Sequence, residues 1–249
     1  MRAAVYAAPG TPSVHAGAAR LRTLAEQWLG RSATGEPVEA AAPLGHSRSS
    51  IDAITRDARR YGFHGTLKAP FRLARGHSLD ELDGAVARFA ARRPLVVLPS
   101  LTLARIDGFF ALVPGVPAPR LDAIANDVVV KFDRFRAPLS DADRSRRDPA
   151  ALTERQQELL DTYGYPYVLE EFRFHLTLTD RVPPGQQPEV ERMLRSWFDE
   201  VLGHDVPLDA LAVFVEPEPG APFVLHAAHR LHPTLTSRTA EAPASEGTR

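Results

Sequence analysis

The sequence predicts an α+β fold made by duplication, in which two antiparallel sheets form a concave groove and helices cover the outside. Three observations predict it. Two stretches alternate between apolar and polar residues, as half-buried strands do. In the first, Phe63, Leu67 and Ala69 share one face, and Gly62, His64, Thr66 and Lys68 share the other. In the second, Phe172, Phe174, Leu176 and Leu178 oppose Arg173, His175, Thr177 and Thr179. Each stretch is followed by the same series of helix, strand, tight turn and strand. From His64 to Gly108 is 44 residues and from His175 to Gly220 is 45, so the two series keep step.

The elements follow in order. Residues 2–8 read as a strand ended by Pro9-Gly10. Ala18, Leu21, Leu24, Ala25 and Trp28 recur at helical spacing, and Gly30 suits the left-handed end of that helix. Residues 31–49 read as a loop, and 51–60 as one helix stopped by Gly62. Ser78 with Glu81 forms a capping box that opens a helix through Arg92. Asp107-Gly108 between two apolar runs marks a hairpin. Residues 118–130 read as a helix, and Thr153 with Gln156 opens another that ends near Gly164. A helix from Pro188 to about Leu202 and strands at 208–216 and 222–230 complete the second half. The chain therefore divides into a single bilobal domain, 1–232. Lobe one covers about 1–117, a bridging segment about 118–165, and lobe two about 166–232. Residues 233–249 are expected to form a disordered tail.

Composition sets limits. The 249 residues are 44% hydrophobic and carry a net charge of -1, which opposes a broad basic face for long nucleic acid. Cysteine is absent, which removes disulfides and thiolate chemistry. No apolar run reaches the roughly 18–20 residues of a membrane span. The N-terminal residues lack a signal-peptide core, so a cytoplasmic location is expected.

The chemistry lies on the polar faces. His and Thr two residues apart put an imidazole beside a hydroxyl on one side of a strand. Two such strands facing one groove offer an acid–base pair near neutral pH, with hydroxyls for non-bridging phosphate oxygens. Lys68 and Arg173 share those faces and are candidates to offset phosphate charge. The arginine-rich segment 132–148 is read as a flap in which Arg134 or Arg136 grips a second phosphate, or else as a salt-bridged surface. Tyr61 and Tyr165, with Tyr163 and Tyr167, are candidates to stack on a sugar or base, with plain packing as the alternative. His226, His229 and His232 are spaced to alternate faces of a strand, so no shared metal ion is expected.

The phrases His64-Gly-Thr-Leu67 and His175-Leu-Thr-Leu178 resemble the signature of the 2H phosphoesterase superfamily. The longer phrases YGFHGTLKAPF, FDRFRAPLSDADRSRR and YGYPYVLEEFRFHLTLTDR, with GAPFVLHAAHRL, are similar to the DUF1045 family, described as phosphonate-metabolism operon proteins. The resemblance spans about residues 2–231. It implies a bilobal 2H phosphoesterase fold, His64 and His175 as catalytic residues, and Thr66 and Thr177 as phosphate-binding residues. It also implies a cyclic phosphodiesterase needing no cofactor, acting on a small sugar or nucleotide cyclic phosphate. A phosphoribosyl cyclic phosphate formed beside carbon–phosphorus bond cleavage is one such substrate. The alternatives are a 2′,3′-cyclic phosphodiesterase or RNA 2′–5′ end-processing enzyme, and a non-catalytic binder of a phosphorylated metabolite.

Overall fold

The computed structural model describes residues 1–11, 14–145 and 147–232. The predicted tail at 233–249 lies outside them. The first half contains β1 (Arg2–Ala7), α1 (Ala16–Leu29), α2 (Arg48–Ala53), α3 (Arg56–Tyr61), β2 (Gly65–Phe71), α4 (Leu79–Ala90), β3 (Val96–Leu98), β4 (Thr102–Ile106) and β5 (Phe109–Val113). Next come α5 (Pro119–Phe132), α6 (Asp141–Ser145) and α7 (Glu154–Tyr163). The chain then forms β6 (Leu176–Thr177), α8 (Gln187–Phe198), β7 (Val206–Leu208), β8 (Ala210–Glu216) and β9 (Val224–Arg230).

The fold is mixed α+β with antiparallel sheets, and its main sheet is an open one of order β4-β5-β6-β2-β1-β8-β9. A short β3–β7 pair stands apart from it. The halves meet at the β2–β6 seam, where Gly65 pairs with Leu176. The two hairpins are exchanged across this seam. The first half's β4–β5 extends the sheet from β6, and the second half's β8–β9 extends it beyond β1 on the β2 side. The two His-x-Thr segments thus lie next to each other at the centre of the sheet.

Local chemistry explains most elements. Gly30 and Gly164 end α1 and α7 in the left-handed conformation, and both capping boxes form. Asp107 and Gly108 both take positive φ, which matches the twist of the β4–β5 hairpin. Ala3, Val5 and Ala7 of β1 face the main core with Trp28, Leu67 and Phe132. Ala4, Tyr6 and Ala8 face a second apolar cluster with Phe214 and Phe223. Burial on both faces suits a central strand.

Two predicted elements differ. The helix expected over 51–60 is split into α2 and α3 at Ile54-Thr55. Asp180 from the second half causes the break: its carboxylate accepts the N–H groups of Asp57 and Ala58 at 3.0 Å, capping α3. The second alternating stretch buries its apolar face as predicted but pairs only briefly. After Thr177 the hydroxyl of Thr179 accepts the Phe110 N–H at 2.9 Å, and the Trp28 indole donates to the Leu178 carbonyl at 2.8 Å. These side chains take groups that a continued ladder would use.

Candidate active site

Both His-x-Thr segments are built alike. The Nδ1–H of His64 donates to the Gly62 carbonyl at 2.9 Å, and that of His175 donates to the Arg173 carbonyl at 2.8 Å. Each ring is tied to the backbone two residues earlier, which fixes its orientation and leaves Nε2 for chemistry. Thr66 Oγ1 lies 3.3 Å from His64 Nε2. The Gly65–Leu176 pair sets the register. Continued by one residue each way, it sets His64 opposite Thr177 and Thr66 opposite His175. All four then lie on one face, with the two histidines as diagonal neighbours roughly 7–8 Å apart. That is a spacing of strand positions, from which both side chains rise on the same side of the sheet.

Gly65 makes this closeness possible. A Cβ there would stand 2.6 Å from the Phe174 ring and 3.2 Å from Leu176. Glycine lets the buried Phe174 pack beneath the seam so that the two backbones can pair.

The two imidazoles have different surroundings. His64 is stacked on the buried Tyr6 ring, with centroids 3.8 Å apart and planes at 25°. Tyr61 and Phe214 stand within 6.3 Å of the same ring. Loss of hydration pushes the His64 pKa down to about 4, against the Gly62 hydrogen bond, and the neighbouring His175 lowers it further. Its mutual influence with His175 agrees with the seam geometry. By solvent exposure His175 is half-buried, as His64 is, but its ring contact is different: Phe109 at 5.7 Å between centroids. The Tyr6 hydroxyl is buried and has no hydrogen-bond partner among the described residues.

A cavity of about 250 Å³ is lined by His64, Thr66 and Thr177 together with Tyr6, Tyr61 and Tyr165. A second cavity of about 320 Å³ is lined by His175, Thr66, Arg173, Phe109, Tyr165 and Tyr167. His64, Thr177 and Tyr61 thus line the first cavity and His175 and Arg173 the second, with Thr66 and Tyr165 common to both. Arg136 lines an adjoining cavity, where Asp133 and the Thr162 carbonyl hold its guanidinium at 2.8 and 2.6 Å.

Lys68 and Arg134 are not in the groove. Lys68 is buried, its Nζ bonded to Asp133 at 2.9 Å and to the Val129 carbonyl at 3.2 Å. The cause is a β-bulge. Tyr6 pairs with Thr66 but Val5 pairs with Lys68, so β2 spends one extra residue at Leu67 and Lys68 turns to the helix side. Arg134 is exposed and covers the Phe135 ring at 4.8 Å, outside both histidine cavities. Sequence reasoning missed Tyr6 and Asp180. Tyr6 carries little local signal, being a single tyrosine in an alanine-rich strand 58 residues before His64.

The family described as "Protein of unknown function (DUF1045)" matches residues 66–224. Two curated relatives, each named ribose 1,5-bisphosphate phosphokinase PhnN, are 37% identical to the chain. The one from Janthinobacterium sp. (strain Marseille) aligns over 202 residues, 79% of this chain and 45% of its own length. The one from Laribacter hongkongensis (strain HLHK9) aligns over 226 residues, 90% of this chain and 50% of its own. The chain thus spans about half the length of these relatives. Among solved structures, "Crystal structure of phosphoesterase" is 14% identical with a TM-score of 0.40, covering 92% of this chain and 98% of that one. E. coli LigT complexed with NADP+ is also 14% identical, with a TM-score of 0.40 and coverage of 92% and 96%. Likeness at that level leaves function to the residues of the site.

Proposed function

This chain belongs to the DUF1045 family, and from that premise we propose that it opens a cyclic phosphodiester on a small phosphorylated sugar. The observation that carries the reading is the pair of backbone-anchored histidines set diagonally across one sheet seam, each with a threonine beside it. His64, held neutral through most of the physiological range, is the general base. Its Nε2 takes a proton from water as the oxygen attacks phosphorus. The bond from phosphorus to one ring ester oxygen breaks, and His175 Nε2–H gives its proton to that oxygen. The product is a ring-opened phosphomonoester. Thr66 and Thr177 donate to the non-bridging oxygens, where charge accumulates. The two imidazoles supply both proton transfers, so this chemistry calls for no metal.

The relatives' name supports a phosphorylated ribose as the substrate class. We infer that the kinase activity in that name belongs to the part of the relatives that this chain does not span. A phosphate-binding Gly-Lys-Ser/Thr loop is one device such chemistry uses, and the two lysines here, Lys68 and Lys131, follow Leu67 and Val130.

The test is phosphorus NMR with ribose 1,2-cyclic phosphate and 2′,3′-cyclic nucleotides, in the presence of EDTA. The expected result is conversion to a monoester resonance, resistant to the chelator. Binding without ring opening across the whole set would overturn the hydrolase reading, and loss of activity restored by added metal would overturn the mechanism.

A further inference from the structure

Next to the His64 cavity lies a larger one of about 510 Å³. Arg2, Tyr61, Ala69, Pro70, Arg147 and Tyr165 line both, so the two cavities adjoin along a shared wall. Five arginines line the larger cavity: Arg2, Arg60, Arg72, Arg136 and Arg147. Their pairing leaves charge uncompensated. Arg2 and Arg60 share a single carboxylate, the buried Glu216. Burial works against its charge, yet Arg2, the Gly220 N–H and Arg60 hold Glu216 down to about 2, so it stays ionised. Arg136 and the buried Lys68 likewise share Asp133. Arg72 is matched by Asp143 at 3.1 Å. Arg147 has no carboxylate partner among the described residues and lies over the Tyr165 ring at 4.8 Å. Two carboxylates shared by two cations each, plus Arg147, leave an excess of three positive charges among the described residues around the larger cavity, while the acidic side chains Asp57 and Asp180 belong to the His64 side.

We propose that this cavity is a second anion subsite, which takes a phosphomonoester carried by the same molecule whose cyclic phosphate lies between His64 and His175. The proposal rests on the function proposed above and names a required feature of the substrate. A dianion matches the charge excess, and planar guanidinium forks match phosphate oxygens in pairs. Arg147 stacked on Tyr165 keeps its N–H edge for the ligand, and it stands where the two cavities meet. Gly164 contributes to the wall: a Cβ there would stand 2.9 Å from Arg136 Cδ, so glycine lets the helix end pack on this arginine.

Two measurements test the subsite. The first compares kcat/KM for ribose 1,2-cyclic phosphate with and without a 5-phosphate, in the wild type and in Arg147→Gln. The doubly phosphorylated substrate is expected to be preferred by about 10²-fold, and the variant to lose at least about tenfold of that preference, the scale of charge-assisted contacts. Equal kcat/KM for the two substrates in the wild type overturns the subsite while leaving the hydrolase reading intact. The second is calorimetric titration with ribose 5-phosphate, which needs no turnover. Binding that weakens at least about tenfold in Arg147→Gln, in a variant of unchanged circular dichroism, supports the subsite even if neither cyclic substrate is hydrolysed. No binding, or equal binding by both proteins, overturns it.

Discussion

The two His-x-Thr segments share a motif and a backbone anchor, but their environments differ. His64 sits against Tyr6, with Tyr61 and Phe214 close by, and loses hydration. His175 lies beside the exposed Arg173 and, among the described residues, has one ring contact, Phe109. Duplication supplies two equal tools, and the surrounding walls make them unequal. The difference arises outside the repeated unit. Tyr6 comes from the N-terminal strand, and Tyr61 from a helix capped by Asp180 of the opposite half.

Four experiments break or sharpen this contrast. The largest effect is expected from removing either imidazole. His64→Ala and His175→Ala should each lower kcat by about 10²–10⁴-fold, and the double variant should fall little further, because the two act in one step. Steady-state kinetics on a cyclic phosphate checks this, and one fully active single variant would remove that histidine from the reaction.

Gly65→Ala comes next. Its methyl group meets the Phe174 ring, and overpacking of this kind costs about 1–3 kcal/mol. Urea denaturation should show the loss, and Phe174→Leu in the same chain should restore part of it. Loss of stability without rescue would mean that the seam is not the point of strain.

The third concerns pH. With His64 as base, the acid limb of kcat/KM should lie near 4, the value its surroundings impose. Tyr6→Leu opens one face of the ring to water and should move the limb up toward the ordinary 6.5. Folding stability responds with the same sign. Because the folded pKa is the lower one, the contribution of His64 is complete above about pH 6.5 and is lost as pH falls toward 4. His64→Ala should flatten that part of the stability curve. An acid limb near 6.5 in the wild type would assign the base elsewhere.

The smallest effect is at the α3 cap. Asp180→Ala removes two N–H acceptors and should cost about 1 kcal/mol in thermal unfolding, within the usual range for a lost cap. Its signature is a change in the His64 acid limb, because α3 leads directly to Gly62 and His64. An unchanged limb would uncouple the cap from the site.

Much of this was legible in the sequence. Strand alternation exposed the two histidines and threonines, and the capping boxes and the Asp107-Gly108 turn fixed their elements, because those signals are local. Lys68 was misplaced because alternation assumes an unbroken pleat, and a bulge depends on the partner strand. Arg134 and Arg136 belong to one short basic run, and only tertiary contacts separate the one on the surface from the one in the cavity wall. Tyr6, Arg2 and Arg60 join Arg147 from distant parts of the chain, where no spacing rule reaches. The exchange of hairpins was equally hidden, since two repeats in series read the same whether each keeps its own hairpin or takes the other's.

The meeting of β2 and β6 at Gly65 and Leu176 has one further consequence. The register of the two histidine segments is set by a single rung of backbone, whereas the chambers on either side are furnished by helices, loops and borrowed hairpins. Those furnishings can be refitted to a new guest without disturbing the ruler at the centre, so a scaffold of this design keeps its reaction while it changes what it admits.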